Sequence, residues 1–141
     1  MTGNVRKGTY LLFLCFREPH TISVGSLGTL NVGAGEYCYV GSAMNGLESR
    51  LERHMRKEKK MHWHIDRLTV QADTTEAYVP SEPTGECVLS AAAGDSGCIP
   101  VFEGFGSSDC RCRTHLFMTD GRSKQKLLTV TAAYPFMRAG M

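Results

Sequence analysis

The sequence predicts one α+β domain, spanning residues 1–141, in which helices pack on a small, mainly antiparallel mixed sheet. Its 141 residues, of which 42% are hydrophobic and 21% charged, suit a single globular core. Apolar and β-branched runs of strand length come first, and an amphipathic stretch of helical period follows. The order of strands, helix, strand, helix and strand is typical of helices layered on a sheet.

The amino-terminal part of the chain predicts two long strands separated by a meander. Residues 9–16 (TYLLFLCF) are apolar almost throughout, as expected for a central strand buried on both faces. Short β-branched segments around residues 22–24 and 27–32, punctuated by glycines, predict the meander. Residues 36–40 predict the second long strand, which ends at Gly41 and whose alternation sets its two tyrosines on one face.

A basic amphipathic helix is predicted at residues 46–60. Asn45 precedes Glu48 by three residues, the spacing of a capping box at a helix start. At 100° per residue, the helix has an apolar stripe, a polar border and an outward basic face. The apolar stripe consists of Leu47, Leu51 and Met55. The polar border consists of Arg50, His54 and Lys57, and the outward basic face consists of Arg53, Arg56 and Lys60.

Positive charge is concentrated on this helix. Six of the 16 Lys and Arg residues lie within residues 50–60, which contain only two acidic residues. Such a cluster can neutralise phosphates, so the formal net charge of +2 understates the affinity for nucleic acid. The alternative interpretation is a solvated helix face without a ligand.

The remainder of the chain predicts a strand, a short helix, a loop, an extended segment and a last strand. Their predicted bounds are residues 68–79, 86–93, 104–109, 110–118 and 127–133. Thr84 is a candidate cap for the short helix, and Gly94 is a candidate stop signal.

Neither a membrane span nor an export signal is predicted. The longest apolar run, residues 10–16, is far shorter than the roughly 20 residues that cross a bilayer. We therefore expect no membrane contact and a cytoplasmic location, where the six cysteines stay reduced. Under those conditions a cysteine serves as a core residue, a metal ligand or a nucleophile, and Cys15 and Cys38 are expected in the core.

Two glycine–tyrosine pairs precede the basic helix. Gly8 and Tyr10 begin the first strand, and Tyr39 and Gly41 end the second. A phenol near a cation can orient or deprotonate water, and a guanidinium such as that of Arg50 binds phosphate through two parallel bonds. On residue type alone, a packing role for the two tyrosines is equally open.

These residues resemble the GIY-YIG nuclease superfamily, through GTY at 8–10, YVGSA at 39–43 and LESRLERH at 47–54. Further motifs resemble an archaeal-type branch of unknown function that is sometimes fused to an endonuclease-III-like glycosylase. Those motifs are WHID at 63–66, EC at 86–87 and FGSSDCRCRTHL at 105–116. The resemblance extends from Gly8 to about Met118.

The resemblance implies an endonuclease that hydrolyses a phosphodiester bond with one divalent metal, Mg²⁺ or another ion. It assigns Tyr10, Tyr39, Arg50 and His54 to catalysis and Glu86 to the metal. Nucleic acid, with DNA favoured over RNA, is the expected partner, and a DNA-repair protein is a further candidate partner. Candidate nucleic-acid contacts are Gly41, Ser42, Arg53, Arg56, Lys57 and Lys60. Candidate supporting residues are His64, Asp66, Ser108, Asp109 and His115.

A second constellation consists of Cys110, Cys112 and His115, with Cys87 or His64 as a candidate fourth ligand. Tetrahedral zinc needs four such donors, whereas Cys-x-Cys in an extended strand is a cramped spacing. The alternative is that these cysteines pack as small apolar groups. Two other functions thus stay open: a zinc-stabilised module, and a nucleic-acid-binding adaptor without catalysis.

The lone tryptophan also has two interpretations. Trp63, which lies among histidines, could stack on a nucleobase. The structural alternative, which we favour, is that it packs the end of the basic helix against the sheet, with His64 and Asp66 close to Arg50.

Overall fold

The computed structural model describes residues 8–43, 46–82, 84–107 and 110–136. Within these ranges the chain forms eight strands, four α-helices and a short 3₁₀ turn. In chain order they are β1 (Gly8–Phe16), β2 (His20–Ser23), the 3₁₀ turn (Gly25–Leu27), β3 (Thr29–Val32), β4 (Gly35–Ala43), α1 (Leu47–Met55), α2 (His64–Thr69), β5 (Thr74–Val79), α3 (Glu86–Asp95), β6 (Ile99–Pro100), β7 (Leu116–Thr119), α4 (Gly121–Thr131) and β8 (Tyr134–Pro135). The predicted fold class is confirmed.

Six strands form one antiparallel sheet in the order β6-β7-β4-β1-β5-β8. The predicted central strand is confirmed, because β1 lies between β4 and β5 and residues 11–14 have no exposed surface. The meander forms a separate two-stranded sheet of β2 and β3. Despite this long insertion, β1 and β4 pair directly, with Tyr10 opposite Gly41 and Leu12 opposite Tyr39.

Helices cover both faces of the sheet. Side chains from β1, α1 and α2 fill the first face: Leu12, Leu14, Leu51 and Ile65. Side chains from β1, α3 and α4 fill the second face: Leu11, Phe13, Leu89 and Leu127. Burial of each such side chain contributes about 1.5–3 kcal/mol, so both layers hold the sheet in place. The alternation predicted for β4 is confirmed, since Tyr37 and Tyr39 lie on the first face and Cys38 and Val40 on the second.

The basic helix is shorter than predicted. It ends at Met55 instead of Lys60, and Arg56 is already extended. At this end the Arg56 amide donates to the carbonyl oxygen of Arg53, and Nζ of Lys59 donates to the carbonyl oxygens of both Arg53 and His54, so side-chain bonds supplement the last helical turn. The predicted cap Asn45 lies outside the described residues, and the N-cap position is occupied by Gly46, which has no side chain to make a cap bond.

The strand predicted at residues 68–79 is wrong over its first part. Residues His64–Thr69 form α2, and β5 begins only at Thr74. The Asp66 carboxylate accepts hydrogen bonds from the backbone amides of His62 and Trp63, both at 2.8 Å. These bonds satisfy amides at the helix start, so a local cap outweighs the alternating pattern.

The last strand, predicted at residues 127–133, is also wrong, because this segment belongs to α4. Asp120 accepts from the amide of Ser123 at 2.8 Å, and the Ser123 hydroxyl accepts from the amide of Asp120 at 3.0 Å. This reciprocal cap begins the helix, and Ala132 ends it in a left-handed conformation (φ 48°). The Asp-x-x-Ser spacing is a signal that the prediction missed.

Two smaller corrections concern the neighbouring segments. The α3 helix continues through Gly94 to Asp95, and its cap position is Gly85 instead of Thr84. The Thr84 hydroxyl donates to the carbonyl of Glu82 and makes no cap. Of the extended segment predicted at residues 110–118, only the end that begins at Leu116 is a strand.

The six cysteines, all of which lie in the described part of the chain, are free thiols. Cys38 is in the core as predicted, whereas Cys15 is only partly buried. Within the same described ranges, no helix combines the length and the apolar character that crossing a bilayer requires.

Candidate active site

A pocket of about 530 Å³ lies where β4, α1, α2, α3 and the segment before β7 meet. Five residues predicted for the site line it: Tyr39, Ser42, Arg50, His64 and Glu86. Its other lining residues include His62, Trp63, Cys87, Phe105, Gly106 and Cys110. Side chains from well-separated parts of the chain thus share one concave surface.

Tyr10 and His54 form a buried pair outside the lining of this pocket. Each is only 1% exposed, and the Tyr10 hydroxyl lies 2.7 Å from Nε2 of His54. Burial raises the pKa of Tyr10 above its usual value. Burial, reinforced by the charge of Lys59, lowers the pKa of His54 to about 3. At neutral pH both rings are therefore uncharged, and Tyr10 supports the Tyr39 ring with centroids 6.4 Å apart.

Gly41 is buried beneath the two phenols and does not present backbone to a ligand. A Cβ at this position would lie 2.5 Å from the Cζ and hydroxyl oxygen of Tyr10 and 2.8 Å from Cε2 of Tyr39. Both distances are far inside van der Waals contact. The predicted role in nucleic-acid contact is therefore replaced by a packing role, in which the absent side chain makes room for both rings.

Tyr39 presents the accessible phenol of the site. Its ring packs edge-on against Phe105, with centroids 6.0 Å apart. Gly106 (φ 70°) lies behind it, where a Cβ would come within 3.0 Å of Cε1 of Tyr39. Burial and the charge of Glu86 raise the pKa of Tyr39 to about 12, although Arg50 opposes the shift. The hydroxyl is therefore protonated at neutral pH.

Hydrogen bonds join the cation of the pocket to its acid. Arg50 donates from Nη1 to the carbonyl oxygen of Ser42 at 2.9 Å, and the Ser42 hydroxyl donates to Oε2 of Glu86. The Arg50 guanidinium also lies over the Trp63 ring, 4.1 Å from its centroid. Glu86 keeps 32% of its side chain exposed. The guanidinium is thus held in one orientation, while the carboxylate stays accessible from the pocket.

Trp63 has the structural environment that we favoured. It packs against the core of the first sheet face, and guanidinium groups from both Arg50 and Arg53 lie over its ring. Arg53 does not face outward as predicted, because its Nη1 pairs with Oδ1 of Asp66 at 2.7 Å. Asp66 is fully buried and is not among the residues that line the pocket. Its carboxylate holds α1 to the start of α2.

Some of the basic side chains in the segment after α1 also form hydrogen bonds within the protein. Lys57 donates to the carbonyl of Thr69 at 2.8 Å, and Lys59 donates to the Thr69 hydroxyl at 2.7 Å. Arg56 and Lys60 are exposed. The outward basic surface is therefore smaller than the sequence count indicates.

The residues predicted to support the site do not all line the pocket. His64 lines the pocket, whereas His115 is fully buried, with Nε2 3.5 Å from Oε1 of Glu86. Ser108 and Asp109 lie outside the described residues. The prediction missed Phe105 and Gly106, for which the only sequence signal was the Gly-Phe-Gly turn.

The buried His54 predicts acid-sensitive stability. Its pKa falls from 6.5 in an exposed ring to about 3 in the fold, so the unfolded chain binds the extra proton between these values. The contribution is complete above about pH 6.5 and declines as the pH falls towards 3. We expect a loss of about 3 kcal/mol in the free energy of unfolding between pH 7 and pH 4.

Urea unfolding at a series of pH values measures this loss. A His54→Gln variant should lose most of that pH dependence, whatever its stability at pH 7. The exposed His62 provides the control, and a His62→Gln variant should keep the wild-type slope. Equal slopes in the wild type and the His54 variant would contradict the prediction.

Comparison with known proteins adds one match. The family model described as "Domain of unknown function DUF123" matches residues 9–136, almost the whole chain. Neither the curated proteins nor the solved structures gave a significant match.

Proposed function

The chain belongs to the DUF123 family, the archaeal GIY-YIG-like family, and from this premise we propose that it binds nucleic acid and hydrolyses a phosphodiester bond. One observation supports this most strongly: Tyr39, Arg50 and Glu86, from three different elements, line the same pocket. A phenol, a cation and an acid around one cavity are the groups that phosphoryl chemistry needs.

Arg50 would bind and stabilise the reacting phosphate. Its bond to the Ser42 carbonyl uses one N–H group and leaves others free for non-bridging phosphate oxygens. Because this contact and the Trp63 ring hold the guanidinium in place, little reorganisation is needed as negative charge develops.

Tyr39 would orient the attacking water. With a pKa of about 12 the phenol stays protonated, so its oxygen accepts a hydrogen bond from water instead of removing a proton outright. Tyr10 and His54, which are covered by the core, act as positioning residues that hold the Tyr39 ring. This positioning role replaces the catalytic role that the sequence predicted for Tyr10 and His54.

Glu86 fits a divalent cation such as Mg²⁺. It is a partly exposed carboxylate, and the Ser42 hydroxyl fixes the orientation of one of its oxygens. A single protein carboxylate suits an ion that keeps most of its water ligands. When bound, such an ion would supply positive charge at the phosphate and make a coordinated water more acidic.

The substrate and partners follow from the same proposal. Arg56 and Lys60 supply exposed positive charge on the segment after α1, which also leads to the pocket residue Trp63. Binding to the phosphate backbone should therefore weaken steeply as salt is added. We favour DNA over RNA, and a DNA-repair protein as a partner, on the family resemblance.

A cleavage assay with end-labelled DNA and RNA, single- and double-stranded, tests the proposed function. We expect cleavage that requires Mg²⁺ and stops on chelation. A Tyr39→Phe variant should cleave about 10²-fold more slowly, since it loses the hydroxyl that orients water. Tyr37→Phe is the matched control, because Tyr37 lies on the same face of β4 but donates to the carbonyl of Gly33. Equal rates for the two variants would exclude Tyr39 from the mechanism.

The second candidate function is a nucleic-acid-binding adaptor. The complete burial of the Tyr10–His54 pair favours it, because neither group can reach a substrate in this arrangement. An adaptor would bind DNA or RNA with strong salt dependence but show no metal-dependent turnover. The same assay, combined with a binding titration, separates the two functions.

A further inference from the structure

Four potential metal ligands converge beside the pocket. Cys87 lies in the first turn of α3, and Cys110, Cys112 and His115 lie in the segment that leads to β7. Their ligand atoms, three sulfurs and one imidazole nitrogen, all lie within 4.8 Å of one another. Two segments distant in the sequence therefore bring four donors to one point.

The spacing is close to that of a tetrahedral zinc site. With Zn–S bonds of about 2.3 Å and Zn–N bonds of about 2.0 Å, neighbouring ligand atoms lie about 3.5–3.8 Å apart. Sγ of Cys110 is already 3.2 Å from Nε2 of His115. Small side-chain rotations would bring all four donors to tetrahedral positions.

His115 has the surroundings of a preoriented ligand. It is fully buried, and its Nδ1 shares a hydrogen bond with the hydroxyl of Ser90, which is also buried. This bond fixes the ring so that Nε2 faces the cysteine sulfurs. A partner on the second ring nitrogen is what histidine ligands of metals usually have.

We propose that Cys87, Cys110, Cys112 and His115 bind one Zn²⁺ ion in a closed structural site. Three thiolates and one imidazole are a common ligand set of structural zinc, and no position is left for a substrate. The cramped Cys-x-Cys spacing is no obstacle, because residues 110–115 form bends instead of a strand and α3 supplies a ligand. The inference does not depend on the proposed hydrolysis.

The ion would connect the segment before β7 to the start of α3. Cys87 directly follows Glu86 in the chain, and Nε2 of His115 lies 3.5 Å from Oε1 of Glu86. If zinc binds Nε2 of His115, that nitrogen no longer pairs with Glu86. The Glu86 carboxylate then keeps its hydrogen bond from the Ser42 hydroxyl. Zinc would thus stabilise the wall of the pocket that presents Glu86.

Metal analysis of the full chain, produced with zinc in the medium, tests the proposal. We expect about one zinc per chain, and intense visible absorption of thiolate-bound tetrahedral cobalt after replacement by Co²⁺. Removal of zinc by a chelator should lower the Tm. A protein that carries no zinc, takes up none when it is added in reduced form and shows no such cobalt spectrum would overturn the proposal.

Single substitutions locate the site. Cys112→Ser should lower the zinc content at least tenfold, whereas Cys15→Ser, at a cysteine in β1 outside the cluster, should retain one equivalent. Ser90→Ala keeps all four ligands but loses the bond to His115, so zinc affinity should fall about 10- to 100-fold. Unchanged zinc content in folded Cys112→Ser would overturn the assignment, as would a disulfide between cluster cysteines in freshly purified protein under reducing conditions.

Discussion

An Arg50→Ala variant is expected to hydrolyse a phosphodiester at least about 10³-fold more slowly than the wild type. Among the pocket-lining residues that the structure describes, Arg50 is the only Arg or Lys. In the proposed reaction, its removal would leave the negative charge of the phosphate without a guanidinium partner. The rate constant at saturating substrate, measured with the Tm of each variant, separates this loss from an effect on folding.

Two further variants sharpen this comparison. Arg56→Ala removes an equal charge from an exposed position six residues later, and it should weaken binding without a large change in the saturated rate. Arg50→Lys keeps the charge but loses the planar pair of donors, so it should recover only part of the activity. If Arg50→Ala and Arg56→Ala have the same saturated rate, Arg50 has no role in the chemical step.

An Asp66→Ala variant is expected to lose about 3 kcal/mol of unfolding free energy. The fully buried carboxylate accepts from Arg53 and from the backbone amides of His62 and Trp63. Its loss would leave these donors without partners, and breaking a buried pair costs about 3–5 kcal/mol. We place the value at the lower end because the Arg53 side chain is 22% exposed. Urea unfolding at pH 7 measures the change, and Glu58→Ala, at an exposed acid on the same segment, should change stability by less than about 0.5 kcal/mol.

The same carboxylate has a defined pH signature. Burial alone would raise the pKa of Asp66, but hydrogen bonds from Arg53 and the two amides outweigh it and lower the pKa below 3.8. A lowered pKa in the fold means that its contribution is complete above about pH 3.8 and is lost as the pH falls further. The pH range in which Asp66 loses its contribution therefore lies below most of the range, from about pH 6.5 to 3, in which His54 loses its own. A stability loss in Asp66→Ala that vanished already at pH 6 would contradict this assignment.

The two long strands in the first half of the fold were predictable because their signals are local. The apolar run in β1 and the alternation in β4 follow directly from burial. The β1 strand matches its predicted range to within one residue, whereas β4 continues to Ala43 instead of ending at Gly41. In the second half, reciprocal caps decided the structure. Asp120 and Ser123 begin a helix where hydrophobic and β-branched residues indicated a strand. Periodicity alone cannot distinguish these outcomes in a short segment.

The residue types of the site were predictable from the sequence, but the burial of each side chain was not. The motifs named Tyr10 and Tyr39 alike, yet one ring is buried and the other is accessible, because α1 packs His54 over the first. The approach of Cys87 to Cys110 depends on where α3 lies relative to a segment more than twenty residues later. Such placements are set by tertiary packing, which no short window of sequence contains.

The direct pairing of β1 with β4 across the meander bears on how related chains can be recognised. The strands that present the two tyrosine motifs are neighbours in the sheet, while the β2–β3 unit stands apart as its own small sheet. Doubling the length of such an excursion costs only about 0.6 kcal/mol in closure entropy. A longer interval between the two motifs would therefore cost this fold little free energy, and a search pattern with a fixed interval would miss any chain that pairs the same two strands across a longer insertion.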